Sequence, residues 1–422
     1  MLSLRYAQEG FSARSQFMRL CGWLQGRTVA TLRSNPEACA RVLASSNVKG
    51  QGIELMIACP AWSPVLSIES VDGEAWEWLS KEFSQLYTKL GWETKISPLT
   101  RSHVARFAER IYEDHASVLD AEQISRLTAN ILFEIIFGRV MTQEEENLFY
   151  QASLEWRKEL AVKAFGSKEV KTEFWTLLES LLANSPYADD FKKHDHQRDM
   201  FMSLFAQPLI LSPQINFSDI MAAVFQFLRD DEALHAKALE AARQNDLEFL
   251  RNICLESIRL KHPFPVLERE LNRDLKVGDQ KLKAGTQVYI LYDEFEQDKT
   301  FDTGRWLPGA KNPYRSMPFG AGQRMCLGKN LAQDMLAEML RGILLHIPDA
   351  KIRPSDNHLY SGRDNDGKDS ASAVLHQIKI FTKVLRTSFG LGKQRRSGVC
   401  PFTGKSSAQN TAASESIQTE QP

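Results

Sequence analysis

Between Pro318 and Gly328 the chain reads Pro-Phe-Gly-Ala-Gly-Gln-Arg-Met-Cys-Leu-Gly, and a helix-forming run from Leu331 to Leu345 follows at once. This stretch constrains the fold more than any other. It is a glycine-punctuated loop that delivers one cysteine, Cys326, to the start of a helix. Free backbone N–H groups at a helix N-terminus favour a thiolate, the metal-binding form of cysteine. Glycines let a backbone turn sharply and pass close to a flat ligand where a Cβ would clash. Arg324 stands two residues before the cysteine, where its guanidinium can meet a carboxylate with a bidentate fork.

Phe319, Gly320, Gly322, Arg324, Cys326 and Gly328 reproduce F-G-x-G-x-R-x-C-x-G. That pattern resembles the heme-binding signature of the cytochrome P450 heme-thiolate enzymes. The resemblance implies a mainly α fold with a smaller β portion, heme b as cofactor, and Cys326 as the axial ligand of its iron. Arg324 is then a propionate partner, and Phe319 and Gly320 line the cofactor.

Composition agrees with a folded domain and excludes some classes. The 422 residues are 43% hydrophobic, enough for a large core, and carry a net charge of −1. Near-neutrality argues against nucleic-acid or anionic-membrane binding. Six cysteines lie scattered (Cys21, Cys39, Cys59, Cys254, Cys326, Cys400) and read as reduced thiols, not as a disulfide framework. The longest apolar run, Ile220 to Leu228, is interrupted by Gln226 and is short of the ~18–20 residues of a membrane span. The first nineteen residues lack the apolar segment of a secretory signal. The expectation is a cytoplasmic protein without a membrane anchor.

Along the chain, Thr28–Leu32 predicts a strand, and Ser34-Asn35-Pro36-Glu37 opens a helix. A further helix begins near Gly73. By similarity to the family, its Trp76 is a candidate propionate partner. Ser80 stands where the family has an arginine, with Lys81 as a weaker substitute or a solvated lysine. Ile124, Leu127, Ile131, Leu132, Ile135 and Ile136 recur at helical spacing up to Gly138 and predict a packing helix. His194 and His196 flank Asp195 in a polar run, read as a solvated loop.

From Phe201 to Arg243 the pattern is helical, interrupted at Pro208 and Pro213. The resemblance places the family's long distal helix here. The helix Leu247–Leu260 carries Glu256 and Arg259, the E-x-x-R pair, on one face. Arg305, in a segment similar to the family's F-x-P-E-R-W meander, completes an expected Glu256/Arg259/Arg305 network. Strands are predicted at Glu268–Leu271 and Gln287–Leu291, joined through a turn at Lys283–Thr286. Arg269 falls where the family sets an arginine against a propionate. The domain is expected over 1–386, with a disordered tail over 387–422.

One departure stands out. The family's distal acid–alcohol motif is absent: the window near Leu211–Asn216 has Gln214 for the acid and Ile215 for the alcohol, after Pro213. Asn216, Ser218 and Asp219 are the remaining candidates for proton delivery. The substrate pocket is expected around Leu211, Ile215, Phe264, Val266 and Leu267. The resemblance implies a monooxygenase acting on a small organic substrate, with a ferredoxin/reductase or similar electron donor docking near Arg324 and Lys329. The missing pair keeps two alternatives open. One is a peroxygenase, isomerase or dehydratase that bypasses O2 activation. The other is a non-catalytic heme sensor or carrier.

Overall fold

In the computed structural model the described residues are 19, 26–46, 48–49, 64–69, 71–113, 118–160, 166–211, 213–264, 266–278, 280–292, 295 and 298–353. The tail expected over 387–422, the N-terminal segment and three of the cysteines (Cys21, Cys59 and Cys400) lie outside them.

The chain enters through β1 (Val29–Leu32) and α1 (Pro36–Ser45). Asn35 caps α1, accepting from the Ala38 N–H at 3.0 Å, and Pro36 fills the first helical position, where a missing N–H costs nothing. The helices α2 (Gly73–Leu90), α3 (Trp92–Glu113), α4 (Ala121–Phe137), α5 (Gln143–Leu160) and α6 (Lys168–Ala183) follow, with the short strand β2 (Val118–Leu119) before α4. The periodic run read from the sequence is α4. It begins with a capping box between Asp120 and Gln123 and stops at Gly138, whose φ of 69° only a residue without a Cβ adopts cheaply.

After the short α7 (Ala188–Lys193) come α8 (Arg198–Ala206), a π turn (Gln207–Leu211) and α9 (Pro213–Asp230). Then α10 (Glu232–Gln244) and α11 (Leu247–Leu260) lead into the β portion. β1 pairs parallel with β6 (Gln287–Leu291), and β6 pairs antiparallel with β3 (Val266–Glu270). A hairpin, β4 (Leu275–Val277) with β5 (Gln280–Leu282), hangs from it. β3 starts two residues earlier than the sequence suggested, because its register is set by pairing Val266 with Leu291. The last helix, α12 (Lys329–His346), precedes β7 (Lys351–Ile352), which pairs with β2.

Two cores form. The larger lies among α3, α4, α9, α11 and α12, with Phe133, Phe149, Trp156 and Phe205 almost fully buried. The smaller joins the sheet to α1 through Leu43, Val288, Ile290 and Met317. Helix α12 lies against α3 at Gly342, where an added Cβ would come within 2.5 Å of the Val104 side chain. Phe319 packs on the larger core and Ala321 on the smaller, so the cysteine loop sits at their junction.

Candidate active site

The loop is shaped by its own backbone. Gly320 and Gly322 hold φ values of 75° and 72°, and Cys326 N donates to Phe319 O at 2.9 Å to close the turn. A Cβ on Gly322 would lie 2.8 Å from Leu43 O and Ala44 Cα, so the loop rests backbone against backbone on the end of α1. A Cβ on Gly320 would find nothing closer than 3.9 Å. Gly322 is thus required by a neighbour, and Gly320 by its backbone conformation.

Cys326 is exposed, yet burial pushes its thiol up to about 12, with the Glu69 carboxylate adding to the effect. The Gly328 N–H hydrogen-bonds Cys326 and works the other way, favouring the thiolate, as does Lys329. On the α2 side, Tyr87 brings its hydroxyl within 3.1 Å of where a Gly328 Cβ would be.

The loop is braced from α11. Glu256 and Arg259 are buried, with Arg259 Nε and Nη2 donating to the two Glu256 oxygens at 2.9 and 2.6 Å. Glu256 also accepts from Asp302 N at 3.0 Å and Trp306 Nε1 at 2.9 Å, and Arg259 donates to Asp298 O and Thr300 O. Arg305 plays a smaller part than expected. Its Nε stands 3.4 Å from Glu256, while its main partner is Asp298. Trp306 and Asp298 were not anticipated; the tryptophan next to Arg305 was the available signal. Immediately after α11, His262 Nε2 lies 3.0 Å from Met317 O and its Nδ1 accepts from Phe264 N, tying α11 to the start of the loop.

The basic residues divide. Arg269, on β3, is 5% exposed, donates through Nη1 to Glu268 O at 2.7 Å, and leaves Nε without a partner. Burial works against its charge, and the nearby Glu69, Tyr292, Glu268 and Asp72 only partly offset this. A buried guanidinium with an open donor is suited to an anion. Arg324 differs from what the resemblance implied. Its guanidinium pairs with Asp72 and Val71 O, and lies 4.7 Å over the Trp76 ring. With its side chain only 4% exposed, Arg324 is not a surface docking residue. Met325 and Leu327 are the exposed groups of the loop. Lys81 is exposed, and the solvated reading holds for it. His194 sits at the turn between α7 and a 3-10 turn (Asp195–Gln197), with its ring stacked on Phe201 at 4.9 Å, while Asp195 and His196 are exposed. Among the described residues no cluster suited to a metal ion is found.

The distal helix runs from α8 into α9 with its break where the sequence lacked the acid–alcohol pair. Prolines cannot donate, and with Pro208 inside the π turn and Pro213 just after it, backbone carbonyls there need other donors. They find them. Gln214 Nε2 donates to Leu209 O, Ser153 Oγ to Ile210 O at 2.9 Å, and Ser125 Oγ to Gln214 O at 3.2 Å. Gln214 is fully buried; its amide nitrogen serves the helix backbone, while Oε1 has no partner among the described residues. Asn216, Ser218 and Asp219 are all buried in α9. The segment 65–69 docks on this helix, with Leu66 N donating to Ser203 Oγ at 2.9 Å and Ile68 N to Gln207 Oε1 at 3.3 Å. Val266 is buried, Phe264 and Leu267 half-buried. The side chains of Leu211 and Ile215 lie outside the described set.

Residues 219–355 match the family model described as Cytochrome P450. Cytochrome P450 4d2 of Drosophila melanogaster is 23% identical over 236 residues, covering 53% of this chain and 47% of that protein. The rat mitochondrial 25-hydroxyvitamin D-1 alpha hydroxylase is 32% identical over 117 residues, 26% of this chain and 23% of its own. The chain thus spans less than half the length of these curated relatives. A six-coordinate cytochrome P450 from Thermus thermophilus superposes with a TM-score of 0.56 at 16% identity, covering 78% of this chain and 90% of that one. A zebrafish cytochrome P450 gives 0.57 at 14% identity, with the same coverage. These likenesses establish the fold. No helix among the described residues is long and apolar enough to cross a membrane.

Proposed function

We propose that this chain, which has the cytochrome P450 fold and matches that family's model over residues 219–355, is a heme-thiolate monooxygenase acting on a small organic substrate. The observation that carries the reading is Cys326 itself, delivered to the start of α12 by a loop whose Gly320 and Gly322 hold positive φ, with Glu256 and Arg259 paired in the core of α11. The residues present fit heme b. Cys326 would hold the iron, and Arg269, with its unpartnered Nε, would hold a propionate. Trp76 and Arg324 support that edge through Asp72, and Arg324 would reach the cofactor only by leaving Asp72. Bound there, a thiolate-ligated heme iron supplies the oxidising chemistry that inserts oxygen into a C–H or C=C bond.

The protein's own contribution is to fix the sulfur and exclude water with the larger core; by similarity to the family, Val266, Leu267 and Phe264, with Leu211 and Ile215, are the candidate substrate contacts. Proton delivery falls to Asn216, Ser218 or Asp219, or to water held along α9. An electron donor of the ferredoxin/reductase kind would meet the exposed Met325 and Leu327 and the neighbouring Lys329. We place the protein in the cytoplasm.

A specific observation favours a second reading. Gln214 stands where the family's acid does, and its amide is bound to Leu209 O, so it relays no proton. A peroxygenase, isomerase or dehydratase needs no such relay, and a heme sensor or carrier needs no turnover at all. The heme-loaded protein is assayed with substrate pools under ferredoxin, reductase and NAD(P)H, and separately with hydrogen peroxide alone. Product only with the electron donor supports the monooxygenase. Product only with peroxide, or without any reductant, supports the second reading. A stable heme with no product in either assay leaves the sensor or carrier.

A further inference from the structure

We infer that the cavity between the ends of α2 and α4 is a binding site for a small aromatic carboxylate. It stands apart from the heme-thiolate reading, since no residue of the cysteine loop, β3 or α9 lines it. Its volume is about 320 Å³, within the range of small-molecule sites.

Two helix ends leave this space open. α2 stops at Gly91 and α4 at Gly138, both in the left-handed conformation, and α3 starts directly after Gly91. Leu90, Ile135 and Ile136 line the cavity and are almost fully buried, which gives it an apolar floor. Phe137 and Tyr187 form an aromatic wall. Their rings meet edge to face at 6.5 Å, and both contact Phe205, at 6.4 and 4.9 Å. A guest ring of suitable orientation extends such a cluster favourably. The carbonyl end of α4 is served by the protein itself: Tyr187 Oη donates to Ile136 O at 3.0 Å, and Gly138 N to Glu134 O at 2.9 Å.

The charges at the cavity favour an anion. Lys89 and Lys95 line it and are exposed, so it opens on their side; against them stands Asp190. Asp190 uses a different oxygen for each of two lysines, Oδ2 for Lys89 at 3.1 Å and Oδ1 for Lys193 at 3.4 Å. A guest carboxylate that takes Lys89 therefore leaves Asp190 its Lys193. Lys95 has no ion-pair partner among the described residues and supplies a second ammonium. An apolar floor, an aromatic wall and two ammonium groups at the mouth together specify a guest with a ring at one end and a carboxylate at the other.

The test titrates the heme-loaded full chain with phenylpropionate by calorimetry. Phenylpropanamide and hexanoate serve as probes that lack the charge and the ring. We expect one site per chain. The double variant Lys89→Met with Lys95→Met should bind phenylpropionate roughly tenfold more weakly, each exposed ion pair being worth up to about fivefold. Lys237→Met, which removes an exposed lysine of α10, should change nothing. The amide and hexanoate should each bind several-fold more weakly, and the heme absorption should stay fixed through the titration. No binding, equal affinity in the double variant, equal affinity for the amide or for hexanoate, or a heme absorption shift that tracks binding would each overturn the inference.

Discussion

Glu256 and Arg259 face each other one helical turn apart, joined by two hydrogen bonds of 2.9 and 2.6 Å, with both side chains fully withdrawn from solvent. Such a pair is tolerable only because every remaining valence is used. Trp306 and Asp302 N complete the carboxylate, while Asp298 O and Thr300 O complete the guanidinium. The meander is thereby sewn to α11, and α11 to the cysteine loop.

Removing one partner strands the other charge in the core. Glu256→Gln and Arg259→Leu should each cost on the order of 3–5 kcal/mol, read as a fall in the denaturation midpoint of the heme-free protein. Arg305→Leu should cost less than half as much, since Arg305 leans on Asp298 at the surface and only grazes Glu256. Equal losses in all three would contradict the division of roles.

Gly322→Ala tests the loop's seat on α1. The substitution places a Cβ 2.8 Å from backbone atoms of Leu43 and Ala44 and forces alanine to a φ of 72°. Backbone strain of this kind costs about 1–3 kcal/mol, and the contact adds to it. The variant should lose thermal stability and take up heme poorly. Gly320→Ala, equally strained but unobstructed, should lose less.

Gln214→Ala deprives Leu209 O of its donor within a buried helix break. An unsatisfied buried carbonyl costs about 1–3 kcal/mol, so unfolding should shift by that amount. If the amide has no catalytic role, turnover by the fraction that remains folded should be unchanged. A folded variant with lost turnover would return Gln214 to the chemistry.

His262 makes stability depend on pH. Burial holds its pKa down to about 4 from an ordinary 6.5, and the neutral ring donates from Nε2 to Met317 O while accepting at Nδ1 from Phe264 N. Because the folded pKa is the lower one, the unfolded chain binds the extra proton. The contribution is complete above about 6.5 and is lost as pH falls toward about 4. With the ring half-buried, the loss is on the order of 2 kcal/mol. His262→Gln should flatten the stability profile across that window, measured by denaturant titration at stepped pH.

What the sequence made legible was local. The Phe319–Gly328 spacing fixes a turn through backbone conformation, and the α11 pattern and its charged pair follow from helical periodicity. What it concealed depends on contacts across the fold. Arg324 was read as facing a ligand carboxylate because arginine suits one, yet Asp72, more than two hundred residues away, takes that place. Trp306 was silent for the same reason: an indole does not announce its partner until the meander converges on α11. The distal window showed the opposite case. The absence of an acid–alcohol pair was plain, but only the π turn reveals that Gln214, Ser125 and Ser153 serve the helix backbone there.

The central claim is that Cys326 supplies a thiolate to a heme iron. The ferrous–CO difference spectrum of the heme-loaded protein, beside Cys326→Ser, tests it most directly. The account predicts a strongly red-shifted band in the wild type that is absent from Cys326→Ser. A wild-type spectrum without that band, or the same band in both proteins, would contradict it.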